Sequence, residues 1–168
     1  MKPARNAFDC LRLVPNFKLP SDVLERAYKD VLRVTHPDQF VGKTGAEKLA
    51  ASHQAANANE AYEQLKSPYH RAQILLDLQG HPFDETQSPE PSFLMEVMIY
   101  QEALQEEEIE PSLAKTLEVL LKEAIENLER AFETKNYNQV TKVLRRYKYL
   151  ERLVFLAKAK LKIRGTSL

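Results

Sequence analysis

Several things are scarce in this chain of 168 residues, and each scarcity excludes something. A single cysteine, Cys10, excludes an internal disulfide. No Cys/His cluster has the spacing of a zinc site, so no structural metal is expected. A lone thiol suits a reducing compartment and makes the cytoplasm the expected location. No apolar run is long enough to span a bilayer, and no signal-peptide core opens the chain. The residues before Asp9 include basic side chains and no acids, but the stretch is too short for a transit peptide. Glycine is also scarce, at 4 residues, in a chain rich in Ala, Leu, Glu, Lys and Gln, which points to an all-α fold. No nucleophile–base pair, phosphate-cradling glycine loop or metal cluster can be read, so neither an enzyme nor a bound cofactor is expected.

The chain does have enough apolar material for a core, 43% of residues. Its length suits one compact domain or two small ones. Its net charge is zero, but the charges are segregated. Residues 1–66 carry 10 Lys/Arg against 8 Asp/Glu, residues 84–135 carry 4 against 14, and residues 136–168 carry 9 against 1. The mundane reading is that an acidic segment lies against a basic one. Each exposed pair then contributes only about 0–1 kcal/mol, though a field of pairs can set register. Residues 142–164 as a nucleic-acid-binding helix is the competing reading. It lacks interleaved aromatics and a matching motif.

The chain is organised around Thr35-His36-Pro37-Asp38. Pro37 fixes its own φ and pushes His36 out of the helical region, so a helix running into this tripeptide should stop near Thr35. Before it, residues 8–14 read as a short apolar helical turn ended by Pro15. Ser21 is an N-cap candidate. From Ser21 to Thr35, Leu24, Tyr28 and Val31 share one face. The opposite face carries Arg26, Lys29, Asp30 and Arg33, which reads as a solvated surface or as a docking surface for an acidic partner. Beyond the loop, Thr44 and Glu47 form a capping box. The helix after it runs to Leu65, with Leu49, Ala50, Ala58, Ala61, Tyr62 and Leu65 inward. His36 and Asp38 could also be an acid–base pair of a small hydrolase, but no other polar groups are predicted to converge on them.

These elements together resemble a J-domain, the module that stimulates ATP hydrolysis by DnaK-type chaperones. His36, Pro37 and Asp38 match its essential tripeptide residue for residue. Arg26, Lys29 and Arg33 match its basic docking face by position and type. The residue before the His is often aromatic in J-domains and is Thr35 here.

In the second half, Ser67 caps a helix that starts at Pro68 and stops at Gly80. A Pro-rich linker runs to Pro91, and Ser92 caps a helix to about Glu107. Another helix runs from Pro111 to Lys135, with Leu117, Leu120, Ala124, Leu128 and Ala131 in phase. Asn136-Tyr137-Asn138 breaks it, and a last helix runs from Gln139 to about Ile163. Three helices on short connections imply an antiparallel bundle. The expected division is a J-domain with the start of a connecting helix (1–75), a linker (76–91) and a three-helix, client-binding bundle (92–168).

With Ser67-Pro68-Tyr69-His70-Arg71-Ala72 and Ser92-Phe93-Leu94-Met95-Glu96 added, the whole chain resembles the HscB family, J-type co-chaperones of iron–sulfur cluster assembly. The resemblance implies two partners, an IscU-type scaffold protein and the specialised chaperone HscA. It places scaffold binding on Leu94, Met95, Met98, Ile99 and Glu102, with Tyr149 where the family often has Phe. An acid is common at the position of Ile99. The four-cysteine extension of eukaryotic relatives is absent, which implies a bacterial-type member without a metal site. The alternative is a generic J-protein serving DnaK with another client.

Overall fold

A computed structural model describes residues 6–165, with the side chains of 163–165 outside the description. Lys2, Arg5 and the Arg164 side chain therefore lie outside it. Among the described residues the chain is all-helical: α1 (Ala7–Cys10), α2 (Ser21–Thr35), a 3-10 turn (Pro37–Phe40), α3 (Gly45–Lys66), α4 (Pro68–Leu78), α5 (Pro91–Ala103), α6 (Pro111–Glu133) and α7 (Tyr137–Gly165). It forms two compact units, residues 1–80 and 81–168.

In the first unit, α1 is shorter than its apolar run suggests. Arg12 sits at φ 55, and the Leu13 and Arg12 amides donate to the carbonyls of Phe8 and Asp9, a left-handed stop that ends the helix before Pro15 is reached. Phe8 and Leu11 are thereby buried, with α1 packed on α3. α2 spans the predicted residues, but Pro20 holds the cap position and Ser21 makes no capping bond. α2 and α3 pack side by side, with Tyr28 stacked on Tyr62 at 4.4 Å and the Tyr28 hydroxyl donating to Asn59 at 2.9 Å. The inward face of α3 is Ala51, Ala58, Ala61 and Leu65, at near-heptad spacing. Leu49 and Ala50 are exposed, against expectation, because the first turn of α3 stands clear of the core along with the loop before it.

The capping box forms as the sequence predicts. The Thr44 hydroxyl accepts from the Glu47 amide at 3.3 Å, and the Glu47 carboxylate accepts from the Thr44 amide at 2.8 Å. Thr44→Ala is therefore expected to lower the stability of this unit by about 1 kcal/mol, measurable by urea denaturation. Ser67 caps α4 through the His70 amide, and Gly80, at φ 76, stops the chain just past its end.

In the second unit, α6 and α7 form a tight hairpin. Lys135 at φ 54 closes α6, and the next residue, Asn136, caps α7 by accepting from the Gln139 amide. The side chains that α6 and α7 bury include Leu117, Leu128, Val140, Leu144 and Leu153. α5 lies on α7. The links Glu90–Arg146 and Leu104–Lys160 are both 56 residues apart, so these two helices run parallel in a fixed register. The bundle is thus up-down-up. α5 itself begins at Pro91 with Glu90 in the cap position and ends at Ala103, rather than running from a Ser92 cap to Glu107.

The charge split has the expected outcome at Glu118 of α6, which pairs with Lys158 at 2.8 Å. The stretch ahead of α5 takes part as well. Glu85 faces Lys148, and Glu90 bridges Lys142 at 2.8 Å and Arg146 at 3.0 Å. The bond from the Lys142 ammonium, helped by the backbone amide of Glu90 and by Arg146, holds the Glu90 carboxyl down at about 2, from an ordinary 4.5. A depressed carboxyl contributes stability above 4.5 that is lost as pH falls toward 2. Because a third of the side chain is exposed, the contribution is discounted to about 1 kcal/mol. Glu90→Gln is expected to lower stability by that amount at pH 7 and to flatten its decline below pH 4.5, as read by denaturation at pH 7, 4.5 and 3.

Candidate functional site

Each unit carries one candidate surface. In the first it is the corner at the end of α2. His36 takes an extended conformation (φ −61, ψ 137), which is what a following proline imposes. The preceding Thr35 is buried at 5% exposure, its hydroxyl donating to the Val31 carbonyl at 2.9 Å. A small side chain satisfied within its own helix thus fills the position that is often aromatic in J-domains. Pro37–Phe40 then turns once, closed by the Gln39 amide on the His36 carbonyl. His36 Nδ1 accepts from the Asp38 amide at 3.3 Å and stands 3.4 Å from the Asp38 carboxylate. Both side chains point into solvent, 60% and 83% exposed. A cleft of about 530 Å³ in the same unit, lined by Cys10, Asn57, Glu60, Gln64 and Asp77 among others, does not include them. The pair is presented outward at a corner rather than enclosed around a substrate.

Arg26, Lys29 and Arg33 are all exposed on the outer face of α2, as their spacing predicts. Each is engaged by a carboxylate of the same helix: Arg26 with Asp22 at 2.6 Å, Lys29 with Glu25 at 3.3 Å and Arg33 with Asp30 at 2.9 Å.

The second surface lies on α5. Phe93 and Val97, one turn apart, are the buried residues of this helix. That choice turns Met95, Met98 and Ile99 outward, each about two-thirds exposed. Leu94 is half-buried and Glu102 exposed. Tyr149 on α7 is half-buried, its ring edge-on to Phe93 at 6.2 Å, which places it beside the start of α5. Arg146 lies over the other part of that cluster, 5.0 Å from the Phe93 ring. Of the residues expected to bind a scaffold, Met95, Met98, Ile99 and Glu102 are free to meet a partner and Leu94 and Tyr149 are partly so. Sequence reasoning missed Leu156, 40% exposed on the stripe of α7 that carries Tyr149. The spacing of seven from Tyr149 was the signal that could have found it. Phe155, 71% exposed, was also not anticipated. Among the described residues no group of three His, Cys, Asp or Glu side chains could hold a metal ion.

Residues 89–154 match the family model of the HSCB C-terminal oligomerisation domain. The co-chaperone protein HscB homolog of Shewanella frigidimarina is 34% identical over 103 residues, which span 60% of this chain and 59% of that relative. The homolog from Aliivibrio fischeri is 27% identical over 157 residues, 88% of this chain and 92% of the relative. The crystal structure of human co-chaperone protein HscB superimposes with a TM-score of 0.79 at 25% identity, covering all of this chain and 86% of the human one. In sequence and in fold the chain is similar to HscB co-chaperones, and it spans about three-fifths of the length of the Shewanella relative that it matches. In HscB terms the first unit carries the J-domain and the second the C-terminal helical bundle. Ile99 and Thr35 remain its departures from the patterns expected there, one about two-thirds exposed and the other buried. No helix among the described residues is long and apolar enough to cross a membrane.

Proposed function

We propose that this chain is a cytoplasmic, non-enzymatic co-chaperone that couples an IscU-type scaffold protein to an HscA-type chaperone for the maturation of iron–sulfur proteins. The bundle holds the scaffold on Leu94, Met95, Met98, Ile99, Glu102 and Tyr149. The J-domain presents Arg26, Lys29 and Arg33 with the His36-Pro37-Asp38 corner to the chaperone and biases it toward ATP hydrolysis. The chemistry is the partner's; this chain supplies a coupling free energy between two binding events.

The observation that carries the reading is the apolar stripe of Met95, Met98 and Ile99, left in water by a helix that buries Phe93 and Val97. Flexible thioethers flanked by an aliphatic side chain suit a protein surface that must fit another. Titrating an IscU-type scaffold into the full chain by calorimetry tests it. Saturable 1:1 binding that also raises ATP turnover by the HscA-type chaperone is the expected result. Absence of scaffold binding, with stimulation of DnaK retained, would leave a generic J-protein.

A further inference from the structure

The outer face of α2 is lined with cations, yet the helix as a whole carries no net charge. Its charged residues are Asp22, Glu25, Arg26, Lys29, Asp30 and Arg33, three of each sign. The structure joins them in three pairs at 2.6, 3.3 and 2.9 Å, all on the surface. Arg26 is held twice over, since its Nε also donates to the Asp22 carbonyl at 3.1 Å. Seen from beyond a Debye length, such a face has almost no field, because each cation and its carboxylate cancel. Seen at contact it is different. Exposed pairs of this kind are weak, so an incoming carboxylate can open them one by one.

We propose that Asp22, Glu25 and Asp30 are specificity-determining residues of the chaperone-docking face, which suppress long-range attraction to acidic surfaces in general and leave docking to be decided at contact. This rests on the co-chaperone reading above. Arg26, Lys29 and Arg33 span seven residues, roughly 10 Å of helix rise. The partner that fits is an acidic groove with carboxylates spread along that length, adjoining a surface that receives the His36-Pro37-Asp38 corner. An acidic protein lacking that arrangement meets a neutral face and gains nothing from approaching it. Asp22 has a second duty in the first turn of α2, where a carboxylate favours the helix dipole. Glu25 and Asp30 lie past the first turn and are the cleaner probes.

The test uses the full chain, its Glu25→Gln/Asp30→Asn variant and a control with the same charge change on α6, Glu126→Gln/Glu133→Gln. The concentration of each that half-maximally stimulates ATP hydrolysis by the HscA-type chaperone is measured from low to high salt, with circular dichroism to verify helix content. For Glu25→Gln/Asp30→Asn it is expected to fall by about three- to tenfold at low salt and to converge on the wild-type value at high salt. The control should stay within about twofold of wild type throughout. An α2 variant indistinguishable from wild type at low salt overturns the proposal, as does a control that shifts equally. Failure of the wild-type chain to stimulate the chaperone at all would instead remove the co-chaperone reading on which it stands.

Discussion

His36→Gln is expected to reduce chaperone stimulation to the unstimulated rate while leaving the fold and scaffold binding intact. The physical basis is the isolation of the side chain. The imidazole is 60% exposed and its contacts are local: Nδ1 accepts from the Asp38 amide, and the Asp38 carboxylate stands 3.4 Å away. The corner itself is set by backbone: the extended conformation of His36, the ring of Pro37 and the Gln39 amide on the His36 carbonyl. Glutamine can hold that backbone and leaves no buried group unsatisfied, so unfolding free energy should stay within about 0.5 kcal/mol of wild type. What it lacks is the ring, the part that a docked chaperone would meet. ATP turnover at saturating variant, with urea denaturation alongside, separates the two effects. Wild-type-like stimulation by the variant would rule out the J-domain mechanism.

The second large effect belongs to the other unit. Met95→Ala/Met98→Ala is expected to weaken binding of an IscU-type scaffold by about 10- to 100-fold, since truncating a contact residue at the centre of an interface typically costs 1–2 kcal/mol or more. Both side chains are 66% exposed, so the free protein loses little packing and its melting temperature should hold. Leu94 is a poorer probe, because it is half-buried and its truncation mixes binding with stability. Calorimetric titration of the double variant gives the affinity. An affinity equal to wild type would place scaffold docking elsewhere. An early-melting variant would show that the two methionines support the bundle.

Which of these residues face outward was not legible in the sequence, and the reason is physical. α5 is apolar nearly all round, with Phe93, Leu94, Met95, Val97, Met98 and Ile99 interrupted by Glu96 alone. Periodicity cannot select a buried face when every face qualifies. The choice is made by α7, where Tyr149 and Arg146 receive Phe93 and where Lys160 donates to the Leu104 carbonyl. The start of α5 was misread for a related reason. Ser92 is the better cap by type, but Pro91 is well placed as a first helical residue, and Glu90 before it is anchored by two cations of α7.

The J-domain was easier to read because its signals are local. A proline after His36, a Thr-x-x-Glu box at Thr44 and an amphipathic α2 each fix a boundary without help from distant residues. The early stop of α1 was one exception, since Arg12 in a left-handed conformation has no sequence signature; the Ser21 cap and the inward placing of Leu49 and Ala50 were others. The self-pairing of the α2 cations sat in plain view. Asp22, Glu25 and Asp30 lie three or four residues from Arg26, Lys29 and Arg33, the spacing at which helical side chains meet. A face counted as Arg26, Lys29, Asp30 and Arg33 leaves out Asp22 and Glu25 and so overstates its charge.

The measurement that bears most directly on the coupling role is steady-state ATP hydrolysis by an HscA-type chaperone with four additions: nothing, scaffold, this chain, and both together. The expected result is a rate with both that exceeds the product of the separate stimulations and is lost with His36→Gln. A rate with this chain that is the same whether or not scaffold is present would contradict coupling between the two surfaces.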